Sequence, residues 1–222
     1  MTMTTTTSTI MAISIDPRLL QLASPALPVG AYSYSGGLEA AVEAGIVKDA
    51  ASAQQWISDV LEFAIAKMEA PVFLRMMAGE VARWNELFLA SRETAELRAE
   101  TVQMGYSLNR LLPDLGLSAL ELEEISFPAA FAHVASSWNI APEDALTAYL
   151  WSWTENQVMA AIKAVPLGQT DGQKLLLALG SQVSRFVEEA RLINYENLGN
   201  FAPGLAMLST RHETQYSRLF RS

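Results

Sequence analysis

Apolar residues recur along this chain at intervals of three and four, the spacing that gathers side chains on one face of an α-helix. The cleanest run is Leu176, Leu179, Val183, Phe186, Val187, Ala190 and Ile193. Earlier stripes are Ala53, Trp56, Ile57, Val60, Leu61, Ala64, Ile65 and Met68; then Phe73, Met77, Val81, Trp84 and Phe88; then Leu97, Met104, Leu108 and Leu111. Pro128 opens a further helix with Phe131, Val134, Ala135 and Trp138 on its inner face. No alternating stretch of useful length, no Asn-Gly hairpin signal and no fixed-period repeat occurs. The pattern predicts an all-α fold, a single-domain helical bundle with no significant sheet.

The bundle is expected to be organised around a central helix near 142–164. Pro142 suits a first helical position, and Glu143 and Asp144 put negative charge at the positive end of the helix dipole. Leu146, Leu150, Trp153, Ala160, Ala161 and Ala164 share one face, while Trp151, Val158 and Ile162 line nearly the opposite one. A helix apolar on two sides needs neighbours on both. Pro166 cannot continue it, and the residue before a proline is pushed out of the helical region.

Punctuation residues supply the remaining boundaries. A short helix starts at Asp16–Pro17 and ends by Pro25 and Pro28. Ser33 or Ser35 caps a helix carrying Leu38, Ala41 and Val42, with Gly45 as its stop. Ser52 with Gln55 and Thr170 with Gln173 read as capping boxes, and Ser118 with Glu121 as a short helical turn. Pro71 restarts the chain, and Ser91 caps the helix that stops before Pro113. The expected organisation is a disordered tail over 1–15, a helical domain over 16–204, and a partner-binding tail over 205–222.

Composition narrows the function. Hydrophobic residues are 50% of the 222 and charged ones 18%, with a mean hydropathy of +0.17. Charges still interrupt every apolar run short of the ~18 residues of a membrane span. The apolar surplus points to a large core or to a surface normally covered by a partner. A net charge of −9 argues against nucleic acid and against anionic membranes. The leader lacks the basic start and apolar block of a signal peptide, so the expected compartment is the cytoplasm.

Most enzyme chemistries lack their residues. The chain has no cysteine and two histidines, His133 and His212, far apart in sequence. No HExxH, paired helical histidines, GxxxxGK[ST] or GxSxG occurs. Asp171 in the glycine pair Gly168–Gly172 would repel phosphate. By this inventory the protein works by binding.

Three stretches stand out. LASPALPVGAYSYSGGLE, residues 22–39, packs prolines, glycines and tyrosines around a helix start. It is either a close-packed, tyrosine-anchored loop or a rigid docking surface. Gln157 falls on the apolar face of the central helix, followed by VPLGQ with Pro166, Gly168 and Gln169. It is either a satisfied buried amide holding that loop or part of an interface. Residues 211–222 carry three arginines against one glutamate on an acidic chain. Written as a helix they place His212, Tyr216, Leu219 and Phe220 in one stripe. This tail either folds back on its own bundle or is an interface, and its arginine–aromatic composition favours the interface.

Together with SRETAELR (91–98) and WTENQVMAAIKAVPLGQ, these segments, in this order and spacing, resemble the urease accessory proteins of the UreF type over most of residues 16–222. The resemblance implies an all-α homodimer that is not itself an enzyme. It implies a scaffold bridging a UreD-type (UreH) accessory protein and the UreG-type GTPase, so that Ni²⁺ reaches apo-urease. The alternative is a regulator of that GTPase, supplying an arginine in trans near the γ-phosphate. The implied partner-binding residues are Tyr32, Ser33, Tyr34, Gly37, Leu38 and Glu39, with Arg211, His212, Glu213, Tyr216, Arg218, Leu219, Phe220 and Arg221. No cofactor is expected of the chain itself: without thiols or clustered imidazoles, nickel is carried by the partners. Where many relatives place a histidine near the second aromatic, this chain reads Tyr-Ser-Tyr-Ser, which weighs against nickel handling by the loop.

Overall fold

The computed structural model describes residues 16–222, so the expectation for 1–15 lies outside it. Among the described residues there is no strand. The helices are α1 (Pro17–Ala23), α2 (Leu38–Glu43), α3 (Ala50–Val60), α4 (Ala70–Ala78), α5 (Val81–Ala90), α6 (Ala95–Leu111), α7 (Phe127–Ser137), α8 (Pro142–Ala164), α9 (Gln169–Leu192) and α10 (Pro203–His212). A π-helical segment, Leu61–Glu69, joins α3 to α4 without a break.

The central helix is where the pattern puts it. Pro142 stands at the start of α8, and Val165, extended before Pro166, ends it. Helix α8 packs against α1, α2, α3, α4, α7 and α9. Leu146, Leu150, Ala160 and Ala161 are buried on one side and Val158 on the other. On that second side α9 comes close through glycines. A Cβ on Gly172 would stand 2.3 Å from Ile162 Cδ1, and one on Gly180 would stand 2.9 Å from Trp151 Cζ3. Gly172 is therefore a helix-packing residue and not part of a loop. Phe73, Phe127, Phe131 and Tyr149 form the aromatic centre of the core, their ring centroids 5.0–5.9 Å apart, in edge-on and offset pairs that contribute beyond simple burial.

Pro71 does not restart the chain. It sits inside one continuous helical run, and the turns before it widen so that the Ala70 N–H reaches Ile65 O, five residues back. A regular helix would offer Lys67 O the N–H of residue 71, which proline lacks. Lys67 O instead accepts from Gly199 N at 3.3 Å, and Phe63 O accepts from Phe201 N at 3.2 Å. The widened segment thus holds the linker that leads into α10.

Other boundaries move by a turn. The stripe from Phe73 to Phe88 is two helices, parted at Gly79 and Glu80, both with positive φ. Asp49 with Ser52 forms the capping box of α3, and Gln55 takes no part in it. Thr94 caps α6, while Ser91 closes α5 through its hydroxyl on Phe88 O. No side chain caps α9, which follows Gly168. Ser118–Glu121 is not helical, because Asn109 binds both the N–H and the carbonyl of Leu120 and draws that segment out along α6. The helix of the C-terminal segment ends at His212, and the 204/205 boundary falls within α10.

Candidate functional site

The loop before α2 is shaped by its glycines. Gly36 and Gly37 have φ of 57° and 83°, a region that side-chain-bearing residues rarely adopt. They also let the loop settle against its neighbours: a Cβ on Gly36 would stand 3.2 Å from Gln157 Nε2, and one on Gly37 would stand 2.9 Å from Leu205 Cδ1 of α10. Gln157 is only 2% exposed, so its amide is buried beneath this loop. Next to it, Asn156 Nδ2 donates to Tyr34 O at 3.2 Å. The two tyrosines divide the work of the loop. Tyr34 is buried and anchors it, while Tyr32 is 68% exposed.

The C-terminal tail lies on this loop. Ser222 O accepts from both the backbone N–H of Ser35 (2.7 Å) and its hydroxyl (2.5 Å), and Arg221 N donates to Ser33 O at 2.8 Å. From the first turn of α2, the buried carboxylate of Glu39 accepts from Leu219 N (2.7 Å) and Phe220 N (2.9 Å) and lies 3.2 Å from His212 Nε2. On the other side of the imidazole, Nδ1 is 2.7 Å from Glu96 Oε2. Arg218 donates to Glu96 Oε1 at 2.7 Å. Ser222 Oγ donates to Glu100 Oε2, also at 2.7 Å. Glu213 turns onto the free N–H groups of Ala95 and Glu96, where a carboxylate suits the start of α6.

These carboxylates are costly to bury. Burial, together with the nearby charges of Glu69 and Glu96, pushes Glu100 up to about 7, against the opposing pull of the Ser222 hydroxyl and Arg92. Glu69 is likewise raised by burial, although Arg92 stands 3.5 Å away and the Tyr149 hydroxyl donates to it. Burial and the Glu69 charge raise Tyr149 in turn. Glu69, Glu100, Tyr149 and Trp153 line, together with Tyr32 and Lys163, one partly open pocket of about 190 Å³. Among the described residues, no group of three His, Asp or Glu side chains is placed to hold a metal ion. His133 lies apart, its Nε2 paired with Ser118 O.

What faces solvent is a mixed patch. Tyr32, Ser33, Lys163, Leu219, Phe220 and Arg221 line one recess. Lys163 Nζ sits 5.9 Å from the Tyr32 ring centre and 5.6 Å from that of Phe220, so it bridges loop and tail by cation–π contact. Leu219 is 71% exposed and Arg221 is exposed beside it. The patch is basic and aromatic on an acidic chain.

The tail thus folds back on its own bundle in part. His212, Phe220 and Ser222 fold back into the protein, while Leu219 and Arg221 remain outward. The tail is not a helix past His212, because Gln215 N, Arg218 Nε and the Gln215 amide close successive turns on His212 O, Gln215 O and Ser217 O. Arg211 and Tyr216 point to solvent away from these contacts, and Leu38 is wholly buried core. Pro166, Gly168 and Gln169 are exposed beyond α8, where the Gly168 carbonyl starts α9. The sequence reading missed Ser35, Glu96, Glu100, Lys163 and Ser222. One signal was present: Glu100 lies three residues after Leu97 and four before Met104, a charge inside an apolar stripe.

Fold and surface together define an all-α bundle whose exposed face is assembled from a loop near one end of the chain and a tail at the other. A family model described as UreF matches residues 47–180. The urease accessory protein UreF of Azoarcus sp. (strain BH72) is 58% identical over 221 residues, covering 92% of this chain and 94% of that protein. The UreF proteins of Dechloromonas aromatica (strain RCB) and Janthinobacterium sp. (strain Marseille) are 52% and 49% identical, each covering 92% of this chain and 96% of its own. The chain belongs to the UreF family of urease accessory proteins.

Proposed function

We propose that this protein is a scaffold in urease maturation, bridging a UreD-type accessory protein and a UreG-type GTPase while Ni²⁺ is delivered to apo-urease. In this reading it acts as a cytoplasmic homodimer and has no cofactor of its own. The observation that carries the proposal is the composite face. Tyr32, Lys163, Leu219 and Arg221 present an aromatic, apolar and cationic patch held from below by Glu39, and such patches make interface hot spots. No helix among the described residues is long and apolar enough to cross a membrane.

The test is co-purification of the full chain with the UreD-type protein, the UreG-type GTPase and apo-urease, with the mass of the complex measured. The proposal expects one assembly containing all components, and loss of at least one of them from the Leu219→Ala/Arg221→Ala variant. An unchanged assembly in that variant contradicts the role of the face. Tight stoichiometric Ni²⁺ binding by this chain alone contradicts the scaffold reading.

One observation favours a second reading, regulation of the GTPase. Arg218 is committed to Glu96, whereas the Arg221 guanidinium is exposed with no ion pair among the described residues. GTP turnover by the UreG-type partner stimulated by the full chain and not by Arg221→Ala would support it.

A further inference from the structure

The partly open pocket that the loop before α2 shares with the π-helical segment, α6 and α8 measures about 190 Å³. Its walls are apolar: Leu27 and Val29 of the loop, Val60 and Ile65 of the run from α3 into the π-helical segment, and Trp153 and Met159 of α8. Tyr32 and Met159 are exposed and mark its open side, while Glu69, 5% exposed, marks its inner end. An engineered apolar cavity of about 150 Å³ is enough to take up benzene, so a six-membered ring fits here. An apolar pocket with a few polar groups set into it is the usual form of a small-molecule site.

Two of those polar groups lack partners. Arg92 Nε and Asn200 Oδ1 are buried, and neither finds a hydrogen bond among the described residues. Both residues line the pocket. Buried polar atoms are nearly always paired, so one donor and one acceptor remain to be met. Charge decides what meets them. Glu69, Glu93, Glu100 and Glu155 line the pocket against Arg92 and Lys163. Four carboxylates oppose an anion. A cation suits them, but it has no lone pair for the Arg92 N–H and is repelled by the guanidinium, which already faces Glu69 at 3.5 Å. A neutral carboxamide has both an acceptor oxygen and a donor N–H.

We propose that this pocket binds a small neutral carboxamide with an apolar, ring-sized body, its oxygen on the Arg92 Nε–H and its N–H on Asn200 Oδ1. The site goes beyond the scaffold reading and does not rest on it. No residue after Leu205 lines the pocket, so its walls do not include the tail.

The experiment is an NMR titration of the full chain with benzamide, benzoate and benzylamine, probes that share one ring and differ in charge. It is followed at the Trp153 indole N–H, assigned by its absence in Trp153→Phe. The pH is about 8, above the Glu100 value of about 7, so that Glu100 is charged. Saturable binding of benzamide is expected, with benzoate and benzylamine weaker by about tenfold, the scale of one lost hydrogen bond or opposed charge. Asn200→Ala, on the linker outside the helices, is expected to weaken benzamide by a similar factor. Met159→Trp, at the open side, is expected to block it. Absence of saturable benzamide binding overturns the proposal, as does equal or tighter binding of either charged probe. Unchanged benzamide affinity in either variant overturns it too.

Discussion

Ser35 and Ser222 are 187 residues apart in sequence, yet the carbonyl of Ser222 accepts both the N–H and the hydroxyl of Ser35. The loop and the tail are therefore one structural unit. What presents Tyr32 to solvent also fixes Leu219 and Arg221, and Glu39 underneath is an internal support rather than a residue for a partner to touch.

Glu39→Ala is expected to leave two backbone N–H groups and one side of His212 without an acceptor. Hydrogen bonds to charged groups are worth about 1.5–3 kcal/mol each in typical cases, so a loss in that range or above is expected in chemical denaturation. A loss under about 0.5 kcal/mol, the scale of a surface substitution, contradicts the support role.

The raised Glu100 gives a pH dependence of stability with a definite sign. Its folded value, about 7, lies above that of an unfolded carboxylate, so the folded state holds the proton more tightly. The stabilising contribution is fully present below the unfolded value and is lost as pH rises through about 7. Glu100→Gln, which cannot ionise, is expected to raise the melting temperature more at pH 8 than at pH 5. Equal effects at the two values contradict the assignment.

Gly105 on α6 is expected to tolerate no side chain. A Cβ there would stand 2.1 Å from Ile125 O and 2.6 Å from Ser126 C, both backbone atoms that cannot swing aside. Gly105→Ala is expected to cost at least the ~1–3 kcal/mol usual for overpacking, measured by urea unfolding. A neutral substitution would mean that the approach of α6 to the start of α7 is looser than described.

Tyr149→Phe removes the hydroxyl that donates to the buried Glu69 and leaves Arg92 as its remaining partner. The expected cost is about 1–3 kcal/mol, the range for a buried group deprived of its hydrogen bond. Restored stability in the double variant Tyr149→Phe/Glu69→Gln would confirm that the carboxylate carries the penalty.

The helices were legible because period and punctuation agree. Pro142, Pro166 and the two apolar faces between them define α8 without any tertiary knowledge. Pro71 misled, because a proline can be absorbed when the preceding turns widen and a distant linker takes the freed carbonyl. Caps slipped by a few residues wherever two serines, threonines or aspartates competed, as at Asp49 and Thr94. In the site, the loop and tail stood out by composition, but their union did not. Ser35, Glu96 and Glu100 meet the tail only through contacts more than a hundred residues apart in sequence, which no local pattern encodes.

The central claim, that loop and tail form one face, is most directly tested by a double-mutant cycle on the affinity of the UreD-type partner, using Tyr32→Ala and Leu219→Ala. Each single change is expected to weaken binding, and the pair to deviate from additivity by more than about 0.5 kcal/mol, as side chains lining one recess do. Strict additivity, or an effect of only one of the two changes on this partner, would contradict it.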